Sequence, residues 1–209
     1  MSRAKTCTRK SFSPTVSRFE HAFAELEQAA DSVAFGSGMA TITAVLLAAR
    51  QRGRHVVAVR PIYGSTDHLL TSGLLGLDVT WATPATVGDA VRADTSLVMI
   101  ETPGNPTCAL VDIADVVRQA GSVPVVVDST FATPVLQQPL ALGAAMSLHS
   151  ATKYIGGHGD VIAGVVATSD AHARELRILA FSIKRYVHGC IITPRYARES
   201  ENLTFYDNW

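Results

Sequence analysis

The chain has 209 residues, 47% of them apolar, and 18 basic side chains balance 18 acidic ones to a formal net charge of zero. That length can bury one substantial core. The charge balance argues against a general electrostatic attraction to nucleic acid or to an anionic membrane surface.

Residues 1–14 are polar and read as an extended arm that runs to Pro14. Ser17-Arg18-Phe19-Glu20 has the form of a capping box, and Phe19, Phe23, Leu26 and Ala30 then recur at helical spacing. After this helix the pattern alternates. Strand-like runs fall at 32–35, 55–60, 79–82, 96–101, 123–128, 146–149 and 161–168. Helical runs fall at 40–52, 66–75, 87–93, 113–120 and 172–180, with Gly53 as the cap that ends the first of them. The run Val-Pro-Val-Val-Val-Asp is apolar on both faces, as in a parallel sheet covered by helices on each side. The fold class expected is therefore α/β, with a mostly parallel sheet. The division expected is an arm over 1–16, a large domain over 17–180 and a tail of different character over 181–209, in which 187–193 could form one more strand.

No stretch is long and apolar enough to span a bilayer, and the basic start lacks the apolar centre of a signal peptide. Cys7, Cys108 and Cys190 are odd in number and lack metal spacing, so reduced thiols in a cytoplasmic protein are expected, with Cys108 a packing residue. No pair of histidines has ligand spacing, and no metal is expected.

Open α/β sheets bind ligands beyond the carboxyl ends of their strands. Polar residues recur there: Ser37-Gly38, Tyr63-Gly64, Glu101-Thr102, Asp128-Ser129 and Ser150. Five strand ends are expected to share one crevice. The most informative run is His149-Ser150-Ala151-Thr152-Lys153-Tyr154-Ile155-Gly156-Gly157-His158-Gly159. An amine at a strand end with hydroxyls beside it suits a pyridoxal-phosphate enzyme, where the amine forms a Schiff base and the hydroxyls hold the phosphate. His149 is expected to point away from Ser150 by strand alternation and to be structural.

Phe35-Gly36-Ser37-Gly38-Met39-Ala40 joins a strand to a helix. It reads either as a phosphate cradle at a helix N-terminus or as an ordinary tight turn. It also loosely matches a dinucleotide fingerprint, but the third glycine is missing. Asp128 ends a fully apolar run, where an acid is costly unless paired. It reads as the partner of a protonated pyridine nitrogen, or as a cap on a helix starting at 129–133. Asn105 reads as a cofactor contact or an Asn-Pro turn, and Tyr63 as a stacking aromatic or a surface one.

Together these motifs resemble the Cys/Met-metabolism (trans-sulfuration) family of pyridoxal-phosphate enzymes, and in particular its cystathionine γ-synthase and γ-lyase members. The resemblance implies the large domain of a fold-type I pyridoxal-phosphate enzyme. It implies pyridoxal 5'-phosphate as cofactor, with Lys153, Tyr63 and Asp128 catalytic. The cofactor would be bound by Ser37, Gly38, Met39, Tyr63, Asn105, Asp128, Ser150, Thr152 and Lys153. It further implies an amino-acid substrate, elimination or replacement at its γ carbon, and a homodimer or homotetramer. Ser65 leans toward cystathionine chemistry, because methionine γ-lyases typically carry cysteine in the Tyr-Gly-x-Thr motif.

The sequence also departs from the family. Thr8 and Lys10 stand where Tyr-x-Arg is usual, and a lysine supplies charge but no bidentate fork. Ala145 replaces an acid near the start of the lysine signature. The resemblance reads well from Pro14 to Leu179, and the family's smaller C-terminal domain is not seen beyond it. The alternative expectation is thus a catalytically inactive truncated fragment that at most binds pyridoxal phosphate.

Overall fold

The computed structural model describes residues 13–186. Helix α1 spans Pro14–Leu26, with Ser13 at its cap and Pro14 in its first turn. Proline suits that position because its fixed φ is already helical and its missing N–H is not needed there. The helix therefore starts three residues ahead of Ser17, and the capping box expected at Ser17–Glu20 does not form. Glu20 is instead buried and serves as a tether, accepting the backbone N–H of Ala34 at 2.9 Å.

The rest of the chain alternates as its pattern predicts. Strand β1 (Asp31–Phe35) is followed by α2 (Gly38–Arg52), β2 (His55–Val59), α3 (Gly64–Thr71) and β3 (Asp78–Ala82). Then come α4 (Val87–Ala90), β4 (Thr95–Glu101), α5 (Ile113–Ala120), β5 (Val125–Asp128) and α6 (Thr133–Leu136). Strands β6 (Met146–His149) and β7 (Gly164–Thr168) precede α7 (Asp170–Tyr186). Gly53 caps α2 as expected, but in extended backbone and not in the left-handed region. The strand suggested at 187–193 lies outside the described residues, as do Cys7 and Cys190.

One seven-stranded sheet runs in the order β1-β7-β6-β5-β4-β2-β3. Its centre, from β6 to β3, is parallel, and β7 alone runs against its two neighbours. Because the central strands are covered on both sides, their alternate residues feed two cores. Val56, Met99, Val126 and Leu148 pack with Ile42, Leu46 and Leu176 from α2 and α7. Val57, Val98, Ile100 and Val127 pack with Ile113 and Val116 from α5. A third cluster joins Phe23 of α1 to Val165 and Ala167 of β7. Among the described residues, no helix is long and apolar enough to cross a membrane.

Arg177 clamps α7 to two elements far from it in sequence, α1 and β1. Its guanidinium donates to Glu20 at 2.8 Å, to Asp31 at 2.6 Å and to the Ser32 carbonyl at 2.8 Å. Replacing Arg177 with Ala leaves the buried Glu20 carboxylate short of its cation. We expect a loss of about 2 kcal/mol in unfolding free energy by urea titration, less than for a fully buried pair because Arg177 keeps some solvent contact.

Candidate active site

The carboxyl ends of β1, β2, β4, β5 and β6 point the same way, and the loops beyond them surround one crevice of about 210 Å³. Its lining contains every residue expected from the sequence: Ser37, Gly38, Met39, Tyr63, Asn105, Asp128, Ser150, Thr152 and Lys153. It adds Ile42, Glu101, Thr130 and Phe131.

One wall is the start of α2. Ser37 caps the helix, its hydroxyl accepting the N–H of Ala40 at 3.1 Å. The N–H groups of Gly38 and Met39 belong to the first turn, which the helical ladder leaves out. Close packing brings this turn to the opposite wall. A Cβ added to Gly38 would sit 2.8 Å from Cβ of Ser150, so no side chain fits there. Gly164 plays the same part behind, where a Cβ would meet the Ser37 carbonyl oxygen at 2.4 Å. Helix N–H groups, the helix dipole and the Ser150 hydroxyl thus line one space, an arrangement that could cradle an anion. Thr152 lines the crevice too, but its hydroxyl already donates to the Ala163 carbonyl at 3.1 Å and accepts the Ala163 N–H at 3.0 Å. Its one proton ties the residue before Lys153 to Ala163, just ahead of β7, so toward a ligand it must turn.

The floor is acidic. Asp128 ends β5, is buried, and accepts both the hydroxyl (2.6 Å) and the N–H (3.1 Å) of Thr130. It caps Thr130 locally and not α6, which begins only at Thr133. The Thr130 hydroxyl also accepts the N–H of Ser150 at 2.8 Å, linking the floor to the cradle wall. Burial pushes the Asp128 carboxyl above its ordinary range, and the Thr130 bonds pull it back. Glu101, at the end of β4, is the register partner of Asp128. Burial, and then the nearby Asp128 charge, push it up to about 7. Its two oxygens accept the backbone N–H groups of Tyr63 (2.5 Å) and Asn105 (2.8 Å). The sequence marked Glu101 as strand-end punctuation without assigning it a role, and Thr130 not at all. An Asp followed two residues later by Thr is a local bonding pattern that could have flagged the latter.

His149 lies outside this lining, as expected. It is fully buried on the other side of β6, bonded to Glu27 at 2.5 Å and set edge-on to Phe23. Cys108, expected to pack, is exposed, at a positive φ. Among the described residues no cluster could hold a metal ion.

The sequence matches the family model "Cys/Met metabolism PLP-dependent enzyme" over residues 5–197. The chain belongs to this family. The match is longer at both ends than the motifs alone suggested. An L-methionine gamma-lyase of Streptomyces avermitilis is 58% identical over 84% of this chain and 43% of its own length. A cystathionine gamma-lyase of Bacillus subtilis is 43% identical over 78% of this chain and 44% of its own. The crystal structure of metB from Corynebacterium glutamicum superposes with a TM-score of 0.77 at 37% identity, covering 84% of this chain and 49% of that one. The chain therefore spans about half the length of the relatives it matches. The family is pyridoxal-phosphate dependent, and the crevice fits that group. It offers an anion cradle that a Cβ would fill, a buried acid suited to a cationic ring nitrogen, and a lysine on the lip.

Thr130→Val keeps the shape and removes the hydroxyl that serves both Asp128 and Ser150. Unfolding free energy should drop by about 1–3 kcal/mol. The hydroxyl favours the ionised form of Asp128, so the deficit should widen as pH rises and Asp128 ionises, and narrow toward acid pH. Denaturant titrations of both proteins across pH check this.

Proposed function

We propose that this chain carries the cofactor-binding part of a pyridoxal-phosphate enzyme that eliminates or replaces a group at the γ carbon of an amino acid, in the manner of the trans-sulfuration enzymes. The observation that carries this reading is the convergence of Gly38, Asp128, Ser150 and Lys153 on one crevice. The bound cofactor would supply an electron sink for the negative charge that develops at the substrate's Cα. The α2 N-terminus and Ser150 would hold its phosphate, with Ser37 setting the turn. Asp128 would keep the ring nitrogen protonated, an ionic partner that also offsets the cost of burying the acid. Tyr63 would lie against the ring and Asn105 beside it. Lys153 is assigned to hold the cofactor and to carry the proton taken from Cα.

The substrates that fit are sulfur-containing or O-acylated homoserine-type amino acids. The relatives' names favour methionine as well as cystathionine, whereas Ser65 favours cystathionine. A homo-oligomer and a cytoplasmic setting complete the proposal. The second reading, cofactor binding without turnover, is motivated by Thr8 and Lys10 in place of the family's usual pair.

Borohydride reduction of the chain with pyridoxal phosphate, followed by peptide mapping, should label Lys153. Lys153→Ala should lose the label and the visible band. A label elsewhere, or none on folded protein, would overturn the assignment. Turnover of methionine or cystathionine by the labelled-competent chain would then exclude the binding-only reading.

A further inference from the structure

Glu101 lines the crevice floor without a role in the chemistry proposed above, yet it is the group through which two members of the site are held. Its carboxylate is buried under the crevice, and each of its oxygens takes a different backbone N–H. One belongs to Tyr63, the cap residue just before α3, whose carbonyl in turn accepts the N–H groups of Thr66 and Asp67. The other belongs to Asn105, in a turn closed by the Gly104–Ala109 pairing. These loops lie 38 and 4 residues from Glu101. A carboxylate is acceptor-only and serves both donors. A neutral acid keeps one good acceptor and turns a proton toward the other N–H.

We propose that Glu101 is a positioning residue which, when ionised, locks the Tyr63 and Asn105 loops together at the ring end of the crevice. That Tyr63 and Asn105 meet the cofactor rests on the proposed function; that Glu101 holds their amides does not. The titratable groups sharing the crevice with it are Asp128 on the neighbouring strand, Lys153 and the Tyr63 phenol. Asp128 opposes its ionisation, and the two N–H groups favour it. With the carboxyl held near 7, the lock closes as pH rises through neutrality and loosens below it.

The direct test is amide hydrogen exchange in the cofactor-free chain, corrected for the intrinsic pH dependence of exchange. Protection at Tyr63 and Asn105 should rise together through about pH 7 in the native protein. In Glu101→Gln, whose side chain keeps one acceptor oxygen and turns an NH2 toward the other N–H, protection should be lower by on the order of tenfold at one of the two amides, and flat with pH at both. The native profile alone decides the matter if the variant does not fold. Native protection that ignores pH, or protection that survives at both amides in the variant, overturns the proposal. A second arm titrates both proteins with pyridoxal phosphate by absorbance. Binding by Glu101→Gln should be weaker above pH 7, and the two should converge below it. Equal affinity at every pH contradicts the positioning role. An unlabelled Lys153 would refute the proposed function while leaving the amide result standing, so the two failures are distinguishable.

Discussion

The crevice depends on how near α2 can come to the end of β6. Helix N–H groups bind an anion well only if nothing stands before them. Two glycines arrange this. Gly38 lets the first turn rest against Ser150, and Gly164 lets β7 begin directly behind Ser37. Either Cβ would push the helix away from the strand end that carries Ser150 and Lys153. The reversed direction of β7 follows the same logic. It brings its first residue, not its last, to the crevice edge, so that Ala163 can hold Thr152 and keep the lysine loop in place.

Two buried acids side by side would weaken most cores. Asp128 and Glu101 face each other in register on β5 and β4, and both are held above the ordinary carboxylate range. Each is supported by nearby donors, Asp128 by Thr130 and Glu101 by two backbone amides. The arrangement costs stability when both are ionised, and a cationic ring would offset part of it. Strained electrostatics of this kind are what a site needs and a scaffold avoids. The rest of the protein supplies the rigidity: two apolar cores across the sheet and the Arg177 clamp between α7, α1 and β1.

Much of this was legible in the sequence. The apolar runs placed all seven strands, and two-sided burial gave the helices on both faces. The polar residues at the strand ends marked the crevice. What could not be read depends on distant contacts. The run at 161–168 looks the same whether β7 is parallel or antiparallel. The helix expected to start at Ser17 starts instead at Pro14, and Glu20, the expected partner in the capping box, is drawn to the sheet edge by Ala34 and Arg177. Thr152 reads as a phosphate-binding hydroxyl until Ala163, eleven positions further on, is seen to return to it. The role of Glu101 exists only once strand order sets β4 beside β5 and two loops fold over it.

The central claim is that the α2 turn and Ser150 hold a phosphate. It is tested most directly by titrating the purified chain, by visible absorbance, with pyridoxal phosphate and with pyridoxal that lacks the phosphate. Charge-assisted bonds are worth about 1.5–3 kcal/mol each, so pyridoxal should bind on the order of a hundredfold more weakly. Equal affinity for the two compounds would contradict the account.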